Sequence, residues 1–132
     1  MADNKIKKRI LIVDDDVSFV SSVQELLENE GYSVSKAFNG NEGLELAKKE
    51  PPDLMILDVM MTHNTEGFEI SREIINIPEL KQMYVILLTG ITKEMNLPFK
   101  FEPDETLLPV STVLEKPVAP GKLLSEIKER IG

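Results

Sequence analysis

The sequence contains no cysteine. That excludes disulfides and thiolate metal centres and fits a reducing compartment. Histidine occurs once, at His63 in a polar loop, and one histidine without close partners makes a poor metal site. No apolar run approaches the ~18 residues of a membrane span. The polar, basic stretch from Met1 to Arg9 has no apolar segment behind it long enough for a signal peptide. The expected location is therefore cytoplasmic, with no membrane partner. Basic residues are outnumbered, and the net charge of −8 argues against direct nucleic-acid binding, which needs a basic footprint. Internal repeats, low-complexity stretches and linkers are also absent. The 132 residues are expected to form one domain over 1–132, structured from about residue 8 to 131.

What is present is a set of short apolar runs that stop at polar residues. Leu54-Met55-Ile56-Leu57 ends at Asp58, and Pro51-Pro52 bounds it on the other side. An unbroken apolar run of this length reads as a strand buried on both faces, as in parallel sheets. Ile10 to Val13 precedes Asp14-Asp15-Asp16, Val85 to Leu88 precedes Thr89, and Val113-Leu114-Glu115 precedes Lys116. Tyr32 to Ala37 alternates apolar and polar residues, which suits an edge strand.

Helical patterns separate these runs. Phe19, Val23, Leu26 and Leu27 recur at helical spacing after Asp16, a favoured cap, and Gly31 closes that helix. Asn39-Gly40 turns the chain, and Asn41 opens a short helix carrying Leu44, Leu46 and Ala47. A further helix is expected from about Gly67 to Ile75, and a last one near Pro120 with Leu123, Leu124, Ile127 and Ile131 on one face. Alternating strand and helix imply an α/β fold with a doubly covered parallel sheet. Between Ile91 and Ser111 the pattern breaks, because Pro98, Pro103 and Pro109 leave no room for three helical turns.

If the strands are parallel, their polar ends meet on one rim, where open α/β sheets bind ligands. Asp14, Asp15 and Asp58 would then form a cluster of hard oxygen ligands. Left bare they would repel; a cation reverses that. Mg²⁺ is the natural occupant, since it takes one or two carboxylates and welcomes phosphate oxygens. Lys116 adds a point charge for an oxyanion and Thr89 a hydroxyl donor. The three acids, the dication and the lysine cancel in charge, so the site can hold a phosphoryl group on a carboxylate. Each feature has a plainer meaning alone: Asp14 to Asp16 as a helix cap, Thr89-Gly90 as a strand exit, Lys116-Pro117 as a turn. Their joint placement favours the site.

Val13-Asp14-Asp15, Leu57-Asp58, Leu88-Thr89-Gly90 and Glu115-Lys116-Pro117 together resemble the four motifs of the response-regulator receiver domain of two-component signalling. The resemblance covers nearly the whole chain. It implies a flavodoxin-like five-stranded sheet of order 2-1-3-4-5, here with an irregular or shortened fourth helix. It implies that Asp58 accepts a phosphoryl group from phosphohistidine on a sensor histidine kinase or a histidine phosphotransfer protein. Asp15 and Asp58 would bind Mg²⁺ directly and Asp14 through water. Met60 would lend its carbonyl to the metal, and Thr89 and Lys116 would each hold a phosphoryl oxygen. The protein would be a switch acting on a downstream protein target, not a metabolic enzyme, and its only reactions would be its own phosphorylation and dephosphorylation. The Lys116-Pro117 bond is expected to be cis, an isomer almost confined to proline.

Three departures from the family pattern bear on loops and signalling. Thr62 stands where proline is usual, the loop before Glu66-Gly67 is longer by one residue, and Val113 replaces an aromatic. The segment from Ile91 to Ser111 carries Phe99, Phe101, Leu107 and Leu108. It is either a partner-binding or lid-like loop that shifts on phosphorylation or a passive cover of the sheet. Two other functions compete. Asp14-Asp15-Asp16 fits the Asp-x-Asp pattern of haloacid-dehalogenase-like Mg²⁺ phosphohydrolases, although only Glu126 and Glu129 follow Lys116 as acids and no cap domain is present. A receiver-shaped module that is never phosphorylated is the other. No output domain follows Gly132, so the chain either acts alone through protein contacts or is part of a longer protein.

Overall fold

The apolar runs seen in the sequence assemble, in a computed structural model, into a five-stranded parallel sheet of order β2-β1-β3-β4-β5. The strands are β1 (Arg9–Val13), β2 (Ser33–Ala37), β3 (Leu54–Asp58), β4 (Tyr84–Thr89) and β5 (Thr112–Glu115). The helices described are α1 (Val17–Asn29), α2 (Gly40–Lys49) and α3 (Pro120–Ile131). The structure describes residues 7–58, 77–80, 83–89, 112–115 and 118–132. The helix expected at about Gly67 to Ile75, the Ile91 to Ser111 segment with its expected irregular or shortened fourth helix, and the Lys116-Pro117 bond lie outside the described residues.

Side chains alternate across the sheet with period two, so each strand feeds two cores. Leu11, Val13, Met55, Leu57, Val85 and Leu87 pack with Leu44 and Ala47 of α2. Ile10, Ile12, Leu54, Ile56, Ile86 and Leu88 pack with Val20, Val23 and Leu27 of α1 and with Leu123 and Ile127 of α3. Burying each such side chain contributes about 1.5–3 kcal/mol before the entropy of ordering is counted. β3 lies at the centre and all five of its residues are buried, as its unbroken apolar run required. β2 is an edge strand, and most of its residues are exposed.

Element ends follow local chemistry. Asp16 caps α1 by accepting the Phe19 N–H at 3.1 Å. Beyond α1, Gly31 adopts φ +98° and its N–H reaches the Glu28 carbonyl at 3.1 Å. A left-handed backbone of this kind suits glycine. α2 begins one residue earlier than its pattern indicated. Asn39 is its cap, accepting the Glu42 N–H at 2.8 Å, so Asn39-Gly40 is the helix start and not a separate turn. β5 likewise begins at Thr112, one residue ahead of the run Val113-Leu114-Glu115, and ends at Glu115. On α3, Leu123 and Ile127 are fully buried, whereas Leu124 and Ile131 only flank the core. A short 3-10 turn, Pro78–Leu80, was not foreseen; it drives Leu80 into the α2-side core.

Register decides what meets on the rim. Val13 pairs with Leu57, Asp58 with Leu88, and Thr89 with Glu115. The far rim fixes that register. Asp53 accepts the Arg9 backbone N–H at 2.8 Å, while the Arg9 guanidinium donates to Glu50 at 2.8 Å and to the Pro51 carbonyl at 2.9 Å. With β1 and β3 tied where they enter, Val13 lies level with Leu57, which sets the next residues, Asp14 and Asp58, beside each other.

Candidate functional site

β1 ends at Val13 and β3 ends on Asp58, so both acid-bearing strand ends face the same way. Asp14, Asp15 and Asp58 each offer a carboxylate oxygen, and the three oxygens lie within 4.8 Å of one another. Asp14 and Asp58 are the buried acids among the described residues, at 0% and 3% exposure, and Asp15 is exposed. The cluster therefore has two acids in its floor and one at its mouth.

Asp14 is held from two sides. Its N–H donates to the Ala37 carbonyl of β2 at 3.1 Å, and its Oδ1 accepts the Asp16 N–H at 2.9 Å. Asp16 does not join the cluster. Its own Oδ1 caps α1, so the N-terminus of that helix, the positive end of its dipole, sits next to the acids. The backbone partners of Asp14 carried no sequence signal, because a carbonyl or an N–H looks the same under any residue.

Three close carboxylates, two of them buried, suit a hard divalent cation. Mutual repulsion and burial both disfavour a bare cluster. Oxygen donors without nitrogen or sulfur select Mg²⁺ or Ca²⁺ over zinc or copper, and a shared, open mouth suits Mg²⁺, which keeps several waters. Among the other expected site residues, Thr89 closes β4 in register with Glu115. Met60 and Lys116 lie outside the described residues.

The response regulator receiver domain family matches residues 10–128. The chain belongs to that family. Among its relatives, PhoP of Bacillus subtilis, an alkaline phosphatase synthesis transcriptional regulatory protein, is 32% identical over 124 residues, covering 93% of this chain but 48% of PhoP. Protein PilH of Pseudomonas aeruginosa is 37% identical over 86 residues, 65% of this chain and 70% of PilH. The chain thus spans about half the length of the first of these relatives. The chemotaxis response regulator CheY4 of Vibrio cholerae superposes with a TM-score of 0.81 at 28% identity, over 96% of this chain and all of that one. A CheY-like receiver domain protein of Methanospirillum hungatei does so with a TM-score of 0.76 at 31% identity, over 94% and 93%. The receiver fold, its flavodoxin-like strand order and its membership in two-component signalling all follow. Nothing in these comparisons supports a haloacid-dehalogenase-like hydrolase. Receiver domains are signalling switches that generally bind Mg²⁺ at an acidic pocket, and this chain has a cluster of Asp14, Asp15 and Asp58. No helix among the described residues is long and apolar enough to cross a membrane.

Proposed function

We propose that this protein is a cytoplasmic phosphoacceptor switch in which Asp58 takes a phosphoryl group from phosphohistidine on a sensor histidine kinase or a histidine phosphotransfer protein. The observation that carries this is the convergence of Asp14, Asp15 and Asp58 within 4.8 Å at the carboxyl ends of β1 and β3 in a receiver-family chain. Residues 1–132 act as one receiver domain, consistent with the family match over 10–128.

Asp58 is the acceptor because it ends the central strand, is nearly buried, and has Asp14 and Asp15 beside it. An Oδ of Asp58 attacks phosphorus, the P–N bond of the donor breaks, and the leaving nitrogen keeps the bonding pair and takes up a proton. Asp15, Asp58 and the Met60 carbonyl would hold Mg²⁺ directly, and Asp14 would hold it through water. A cation held there would supply charge neutralisation for the cluster and for the phosphoryl oxygens. Thr89 and Lys116 hold the remaining phosphoryl oxygens, with Lys116 acting as a point charge. The chain turns over no metabolite; it gains and loses its own phosphoryl group.

Both the donor and the downstream target are proteins. An apolar groove of about 380 Å³ runs along α1 and the start of α3, lined by Phe19, Val23, Leu26, Val118, Pro120 and Leu123. Val17, at the first turn of α1 next to the acids, is 62% exposed. These features favour a protein face over a small substrate. Phosphoramidate, a small P–N donor, tests the chemistry. Incubation with Mg²⁺ is expected to add one phosphoryl group by intact-mass spectrometry. No uptake from phosphoramidate, with uptake from an acyl phosphate intact, would remove phosphohistidine as the donor class.

A further inference from the structure

The geometry points to Gly43 of α2 as a positioning residue for the acidic cluster, its missing side chain letting α2 seat directly on Val13 and so fix Asp14. This rests on the proposed role of Asp14, Asp15 and Asp58 in holding Mg²⁺. A Cβ built at Gly43 would lie 2.6 Å from Cγ2 and 2.9 Å from Cγ1 of Val13, and 3.3 Å from its Cβ. Carbon atoms at optimal separation sit about 3.5–4.0 Å apart, so any side chain at 43 must displace something.

Val13 has little freedom to yield. It is fully buried and β-branched, which leaves few rotamers. It pairs with Ala37 on one side and Leu57 on the other, in the middle of the sheet. Asp14 follows it directly and donates its N–H to Ala37, the last residue of β2 before the loop into α2. The helix thus bears on Asp14 twice, through Val13 below it and through the Ala37 carbonyl beside it. Lifting α2 off the sheet moves both supports. Helix preference alone points the other way, since alanine favours a helix interior over glycine by about 1 kcal/mol. Gly121 on α3 is a matched control, because a Cβ there meets nothing within 4 Å.

The test compares wild type, Gly43→Ala, Gly121→Ala and the double variant Val13→Ala/Gly43→Ala. Two quantities are read by NMR on each folded protein: the Mg²⁺ midpoint from the Asp14 and Asp15 amide shifts, and the exchange rate of the Asp14 amide without metal. Gly43→Ala is expected to weaken Mg²⁺ about tenfold, the lower end for lost support of a metal ligand, and to speed Asp14 exchange. Gly121→Ala leaves both at wild type, and the double variant, in which Val13 loses both methyls that a Cβ at position 43 would strike, restores both. If Gly43→Ala does not fold, a folded double variant with wild-type Mg²⁺ affinity supports the assignment. An unchanged Mg²⁺ midpoint in Gly43→Ala, or a loss that Val13→Ala does not repair, overturns it. A wild type that ignores Mg²⁺ sinks the metal-site reading instead, and the Asp14 exchange rate then still decides whether Gly43 positions that residue.

Discussion

Two residues, one in the acidic cluster and one away from it, separate chemistry from stability. Asp15 is exposed but its carboxylate lies within 4.8 Å of two buried acids, so Asp15→Asn is expected to stabilise the metal-free fold by relieving their repulsion. The same change removes a metal ligand, and Mg²⁺ should lose its effect on the thermal midpoint. Thermal melts with and without Mg²⁺ check both halves; a Mg²⁺ response that survives Asp15→Asn would remove Asp15 from the ligand set. Tyr32 offers a second residue-scale test away from the site. Its hydroxyl is buried without a hydrogen-bond partner among the described residues. Burial raises its pKa above the ordinary tyrosine value of 10.0, and Glu30 pushes the same way, while Lys128 opposes. With the folded pKa above the unfolded one, the unfolded chain gives up its proton first as pH rises. Stability is therefore whole below about pH 10 and falls as pH climbs towards the folded pKa. Tyr32→Phe should flatten that alkaline fall in a pH series of denaturant melts. At neutral pH it should be neutral or stabilising by about 1 kcal/mol, since it removes an unsatisfied buried hydroxyl.

At the scale of elements, α1 is both a core helix and a support of the rim. Asp16 caps it while its backbone N–H orients Asp14. Asp16→Ala removes the cap but keeps that N–H, so it should cost about 1 kcal/mol in denaturant unfolding. Phosphoryl uptake should persist; its loss would make the Asp16 side chain part of the site. The elements also show what a sequence can carry. β3 was legible because burial on both faces demands an unbroken apolar run, and Leu54 to Leu57 has no other use. α1 was legible because its cap, its spacing and Gly31 agree. The start of α2 was misplaced because Asn39-Gly40 is as good a turn as it is a cap and first turn. The 3-10 turn at Pro78 left no periodic trace, and neither did the close approach of Gly43 to Val13. Close approach is a property of two elements together, and a sequence lists them one at a time.

Over the whole molecule, five parallel strands deliver their last residues to one edge, and the chain's excess of acid includes three carboxylates gathered there. Asp14, Asp15 and Asp58 could be read together from sequence because each follows an apolar run, and parallel runs end on the same rim. The tie from Arg9 to Glu50, Pro51 and Asp53, which levels those ends, could not, since it joins residues far apart in sequence through exposed groups. Ligand binding to the folded state alone raises its stability, by about 2.7 kcal/mol at a hundred times Kd. A cation on this rim would therefore bind the ends of β1 and β3 to each other as well as serve chemistry. The central claim is that the rim holds a phosphoryl group on Asp58 and needs Mg²⁺ to do so. Intact-mass spectrometry after incubation with acetyl phosphate measures this directly, on wild type and Asp58→Asn, each with Mg²⁺ and with a chelator. One added phosphoryl group is expected on wild type with Mg²⁺ and none in the other three samples; equal uptake by Asp58→Asn, or by wild type in chelator, would rule out a Mg²⁺-dependent acceptor at Asp58.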